Sequence, residues 1–144
     1  MFKIATWNVN SLRVRLPHLI NWLTKTQPDI VALQEIKMVE EECPLIEFEQ
    51  LGYKRVAAGQ KAYNGVALLS KENITDVVTA MLDYDDPQKR LLAATIGDVR
   101  VLNVYVPNGQ ALHSEKFQYK LEWEQYHLEG KRGILGERGE HNKL

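Results

Sequence analysis

The run Pro28-Asp29-Ile30-Val31-Ala32-Leu33-Gln34-Glu35-Ile36-Lys37 constrains this chain more than any other stretch. Ile30 to Leu33 are four consecutive apolar residues between a proline turn and a polar end. They cannot alternate between a wet and a dry face, so they predict a β-strand covered on both sides by other layers. Gln34 and Glu35 then fall where the strand runs out toward solvent, the position at which layered α/β folds build their sites. A carboxylate there serves either as a ligand for a hard metal or as a capped structural acid. The strand alone does not choose between them.

The neighbouring segments narrow the choice. Met1 to Asn10 is a second apolar run, ending in Trp7-Asn8-Val9-Asn10. Pro17 suits the first turn of a following helix, and Leu19, Ile20 and Leu23 give it an apolar stripe to lay on a sheet. Gln27-Pro28 stops that helix, because the residue before a proline is pushed out of helical geometry. Strand, helix and strand in so short a span make a βαβ unit with two parallel strands. Asn8 and Glu35 are then expected to end at the same sheet edge, where an amide oxygen and a carboxylate would suit Mg²⁺.

Farther along, Glu40-Glu41-Glu42 reads as an acidic, solvated turn before a short helix closed by Gly52, lying away from any anionic substrate. Tyr53–Ala58 and Gly65–Ser70 are strand-like, joined by a loop holding Gln60, Lys61, Tyr63 and Asn64. Strands are also expected over Ile74–Leu82, Leu91–Ile96 and Val99–Val106. Arg13 and Arg15 are either solvated loop arginines or phosphate contacts. Arg90, at the start of a strand, offers a planar fork of donors suited to a phosphate. Tyr105 is either a packed core tyrosine or a donor to a phosphate oxygen. Ser114 reads as the cap of another helix, and four glycines between Gly130 and Gly139 predict a disordered tail.

Composition sets the outer bounds. With 44% hydrophobic and 26% charged residues the chain has the balance of one globular domain. A net charge of −1 gives no global pull on nucleic acid, so any such binding must come from local basic groups. The single cysteine, Cys43, cannot close an internal disulfide, and no run approaches the length of a signal peptide or membrane span. The expectation is a cytoplasmic protein without a membrane or an obligate protein partner.

Several motifs recur together. Trp7-Asn8-Val9-Asn10 with Leu12-Arg13, Pro28-Asp29 leading to Leu33-Gln34-Glu35 and Lys37, Gly59-Gln60-Lys61 with Tyr63-Asn64-Gly65, Lys89-Arg90, and Asn103 to Gly109 all resemble the exonuclease III family of apurinic/apyrimidinic endonucleases. The collinear resemblance covers residues 1–123 and leaves 124–144 as a non-matching tail. It implies an α/β fold of the endonuclease/exonuclease/phosphatase type, a four-layer sandwich with helices outside two facing sheets. Roughly the first half, mainly one sheet with its flanking helices, would be present here.

The resemblance further implies Mg²⁺-dependent hydrolysis of a DNA phosphodiester, at abasic sites or 3′ ends of double-stranded DNA, with Mn²⁺ as an alternative cofactor. Glu35 and Asn8 would hold the metal, Tyr105 would stand at the scissile phosphate, and Arg13, Lys61, Arg90 and Asn108 would contact DNA. The family's later Gly-Asp-Phe-Asn-like and Ser-Asp-His-like segments have no counterpart, and no Asp follows Asp98. The expectation is therefore a chain inactive by itself, with an uncovered sheet face that makes it poorly soluble or dependent on a partner. The competing readings are a non-catalytic DNA-binding module, a non-functional fragment, or a phosphodiesterase of the same broad fold acting on lipid or inositol phosphates.

Overall fold

The computed structural model describes residues 2–79 and 88–107. The expected loop over Asp83–Pro87, the extension of a strand to Leu82, Asn108, the helix at Ser114 and the tail from Glu124 lie outside these residues.

The βαβ unit forms as the sequence predicts. Strand β1 (Ile4–Asn8) leads into helix α1 (Leu12–Thr26) and returns as β2 (Ile30–Gln34). The two strands are parallel, with Asn8 opposite Gln34. Helix α1 starts earlier than expected. Ser11 caps it by accepting from the Val14 amide, so Pro17 sits inside the helix rather than in its first turn. Its missing N–H leaves the Arg13 carbonyl without the usual donor four residues on. Gln27 ends α1 in the left-handed conformation, immediately before Pro28.

A three-residue 3-10 turn at Glu40–Glu42 and the short helix α2 (Ile46–Gln50) follow. Strands β3 (Lys54–Ala58) and β4 (Val66–Ser70) then complete a four-stranded sheet in the order β1-β2-β4-β3. A second sheet, β5-β6-β7, is built from β5 (Ile74–Val78), β6 (Leu91–Ile96) and β7 (Val99–Val104). All of its pairings are antiparallel.

Strand β2 is buried at every position, because its two faces pack into different cores. Val31 and Leu33 join Leu12, Leu19, Leu23 and Phe48 on the helix side. Ile30 and Ala32 join Val66, Leu68, Leu92, Ala94 and Val101 between the sheets. The expectation of a bare inner face is thus corrected. Three strands of the second sheet lie on it, and Ile30, Val66 and Leu68 are fully buried. The three strands arise because Leu91–Ile96 and Val99–Val104 form a tight hairpin through the Gly97 turn and need only a neighbouring apolar face to bury their own. The cover stops at β1. Thr6 stands opposite Ala32 in register yet is exposed, and Ile4 is half-buried.

Candidate active site at the strand ends

The backbone beyond β1 and β2 leaves regular geometry in a concerted way. Asn10, Ser11, Glu35 and Lys37 all have positive φ although none is glycine, a conformation that costs energy and concentrates at functional sites. Hydrogen bonds between the two exits hold it: the amides of Val9, Ser11 and Leu12 donate to the carbonyls of Gln34, Glu35 and Ile36. The consequence for Glu35 is a change of side. Strict alternation would turn residue 35 toward the helices, but at φ +56° its carboxylate instead reaches Tyr105, just past β7 of the second sheet.

Tyr105 Oη donates to Glu35 Oε1 at 2.5 Å. The tyrosine is itself held by Arg90. The guanidinium carbon lies 4.7 Å from its ring centre, Arg90 Nη1 donates to the Tyr105 carbonyl at 3.1 Å, and the Tyr105 amide donates to the Arg90 carbonyl at 2.8 Å. Arg90 Nε also donates to Gln88. Arg90 therefore orients the tyrosine while keeping a cation next to it.

Asn8 shares the inter-sheet side with Glu35. It alternates with Ile4, which packs into the inter-sheet core, and it ends β1 beside Gln34. Its side-chain oxygen accepts from the Asn10 amide at 3.1 Å, and the Asn10 oxygen accepts from Lys37 Nζ at 2.6 Å. Glu35 Oε2 has no hydrogen-bonding side chain against it among the described residues. One half-buried carboxylate on the same sheet edge as an amide oxygen would suit a hard cation that keeps most of its waters and takes its other ligands from a phosphate. Among the described residues no three His, Cys, Asp or Glu side chains gather into a dedicated cage.

The loop between β3 and β4 closes the same rim. Gly65 donates to the Lys89 carbonyl and accepts from the Ile36 amide, while Asn64 accepts from the Lys37 amide. Gln60 Oε1 accepts from both the Lys89 amide and Asn64 Nδ2. Only glycine fits at two points. A Cβ on Gly59 would stand 1.9 Å from the Met38 carbonyl oxygen, and one on Gly65, at φ +92°, 2.6 Å from Ile36 Cγ1. Lys61 and Tyr63 project from this loop into solvent.

Of the expected site residues, Asn8, Glu35, Arg90 and Tyr105 converge on one rim, and Lys61 stands on the loop beside it. Arg13 does not join them directly. Its Nη2 forms an exposed ion pair with Glu42 at 2.8 Å. The two expectations, that Arg13 contacts phosphate and that the acidic turn lies away from the substrate, therefore conflict. Asn108 lies outside the described residues.

Gln34, expected where the strand runs out toward solvent, is instead fully buried, and with the fully buried Asn103, which the sequence shows only as part of a motif, it carries a polar connection between the sheets. Gln34 Nε2 donates to Thr6 Oγ1 and Asn103 Oδ1, and Gln34 Oε1 has no partner. The signal was an amide in the middle of the otherwise apolar run Val101 to Val106, since a buried amide is retained only where it is bonded.

Comparison with known proteins bears on the family and the fold. The model of the Endonuclease/Exonuclease/phosphatase family matches residues 5–140. Exodeoxyribonuclease III of Haemophilus influenzae is 38% identical over 82% of this chain and 46% of its own length. The DNA repair nuclease APEX1 of Danio rerio is 29% identical over 85% of this chain and 41% of its own. Among solved structures, the 3′ phosphatase NExo from Neisseria bound to a product DNA hairpin superposes with a TM-score of 0.85 at 47% identity. An AP endonuclease from Archaeoglobus fulgidus gives 0.84 at 43% identity. Each superposition covers 88% of this chain and 49% of the other, so the chain spans about half the length of the relatives it matches. With the family model aligned from β1 to residue 140, and the two-sheet fold shared with these nucleases, the chain belongs to the Endonuclease/Exonuclease/phosphatase family.

Proposed function

We propose that this chain carries the metal- and phosphate-binding half of a Mg²⁺-dependent DNA phosphodiester hydrolase of the exonuclease III type, and does not turn over substrate by itself. The observation that carries the reading is the Glu35–Tyr105 contact on a rim shared with Asn8. Glu35 and Asn8 would hold the cation through the free Oε2 and the amide oxygen. The cation, when bound, offsets the charge that builds on the phosphoryl oxygens. Tyr105, fixed by Arg90, faces the same space, and its single O–H can turn from Glu35 to a phosphate oxygen entering beside the carboxylate. Arg90 and Lys61 add positive charge on that rim, and Asn108 and Arg13 are the remaining expected DNA contacts. The substrate class is double-stranded DNA carrying an abasic site or a 3′ end, and Mn²⁺ would replace Mg²⁺.

The reading of inactivity rests on the group that must orient or deprotonate water. Glu35 is engaged with Tyr105, and no Asp follows Asp98 in the sequence. The test is a nicking assay on an abasic duplex with Mg²⁺ and the 144-residue chain in excess. The expected result is no cleavage, together with binding of the duplex that weakens steeply with salt. Mg²⁺-dependent cleavage that Glu35→Gln abolishes would reject inactivity and keep the site. Salt-dependent binding without any metal affinity would favour the non-catalytic DNA-binding module instead.

A further inference from the structure

We propose that Asn103 is the positioning residue that sets the Glu35–Tyr105 pair, by pinning the second sheet at one fixed place over the first. The inference rests on the reading of Glu35 and Tyr105 as the metal and phosphate site.

Asn103 is fully buried near the end of β7, where an amide is retained only if it is bonded. Its bonds run across the sandwich to the other sheet. Nδ2 donates to the Leu33 carbonyl at 3.0 Å and to the Ala67 carbonyl at 2.8 Å. Oδ1 accepts from Gln34 Nε2 at 2.8 Å. Leu33 and Ala67 face each other in the β2–β4 register, so one side chain grips two adjacent strands of the first sheet.

The sequence spacing turns that grip into site geometry. Glu35 lies two residues beyond Leu33, and Tyr105 two residues beyond Asn103. Any slide of β7 over β2 at the pin is passed on, within about 7 Å of strand, to a hydrogen bond that is 2.5 Å long. Displacement along that bond by about one ångström would take it past the usual range for two oxygens, and displacement across it would tilt it away from linearity. The surrounding side chains do not resist sliding in the same way. Leu92, Ala94 and Val101 pack non-directionally, whereas three directed bonds from one amide fix a single register. Gln34 extends the pin to Thr6 of β1, the strand that ends in Asn8. One chain of amides thus aligns the strand ends carrying Asn8, Glu35 and Tyr105.

The test uses the 144-residue chain with tyrosine labelled at ¹³Cζ, whose chemical shift reports the hydrogen bond of the phenol, and Mn²⁺ affinity measured by electron paramagnetic resonance. The Tyr105 signal is assigned by its loss in Tyr105→Phe. In Asn103→Leu the Tyr105 signal is expected to move to its position in Glu35→Gln, and Mn²⁺ affinity to fall about tenfold, the low end for a residue that orients a ligand. Asn103→Ser, neutral and smaller, supplies the same readouts if the leucine variant does not fold. A folded variant that keeps both the wild-type Tyr105 signal and the wild-type Mn²⁺ affinity overturns the proposal, whatever happens to its melting temperature. If Glu35→Gln leaves Mn²⁺ affinity unchanged, it is the metal-site reading that fails. The phenol signal, which needs no metal, then decides the positioning of Tyr105 alone.

Discussion

Leu92 is fully buried between the sheets, among Leu68, Val66, Ala94 and Val101. Replacing it with alanine removes apolar contact from both layers and leaves a cavity that three paired strands cannot easily collapse, which places the cost at about 3–4 kcal/mol. For a folded region of this size each kcal/mol moves the melting temperature by about 4–8 °C, so Leu92→Ala should lower it by roughly 12–30 °C. The assay is urea and thermal unfolding followed by both far-ultraviolet circular dichroism and tryptophan fluorescence. Trp7 and Trp22 pack on the helix side of the first sheet, in the other core. If the second sheet is an integral cover, the fluorescence transition shifts with the strand signal although the mutation lies in the opposite layer. Val77→Ala, at an exposed position on edge strand β5, should change stability by less than about 0.5 kcal/mol. A Leu92→Ala chain no less stable than the Val77→Ala control would refute the account of a sandwich closed by β5 to β7. A shifted strand signal with an unmoved tryptophan transition would refute it equally.

Three other outcomes follow from the same structure. Gly65→Ala should destabilise by about 1–3 kcal/mol, from the positive φ and the 2.6 Å approach to Ile36, and should weaken Mn²⁺ binding; a neutral effect in both unfolding and metal titration would show that the rim is not held there. Burial between the βαβ unit and β3, and then the nearby Asp29, push the Tyr53 hydroxyl from 10 up to about 12, and burial pushes the Cys43 thiol up to about 11. Both groups are favoured neutral in the fold, so stability falls as pH rises through each group's unfolded value, from about 8 upward for Cys43 and about 9 upward for Tyr53; Tyr53→Phe should flatten the loss between pH 10 and 12 in urea titrations. Glu42→Gln releases Arg13 from its exposed ion pair at a cost below about 1 kcal/mol, and abasic-duplex affinity at low salt should rise if Arg13 meets phosphate and stay level if it does not.

The βαβ unit and the burial of β2 were legible because they follow from apolar runs and helix stops that act locally. The loop between β3 and β4 was legible as a link between two strands, although the need for glycine at 59 and 65 depends on Met38 and Ile36, which only the fold brings near. The second sheet was less legible, since a hairpin's ability to cover a face depends on how its strands meet that face and not on its own pattern. Pro17 lies inside the helix rather than in its first turn because Ser11, a better cap, starts the helix upstream. The turn of Glu35 to the inter-sheet side could not be read from alternation, for a non-glycine residue at positive φ leaves no mark in the residue type. Arg13 and Glu42 likewise meet through the fold, 29 positions apart in sequence.

The most direct measurement is a Mn²⁺ titration of the 144-residue chain by electron paramagnetic resonance, wild type beside Glu35→Gln and Asn8→Ala. The account predicts one saturable site in the wild type, lost in Glu35→Gln and weakened in Asn8→Ala, with the fold of each variant intact by circular dichroism. A wild-type chain that is folded but takes up no Mn²⁺, or a site that survives Glu35→Gln unchanged, would contradict it.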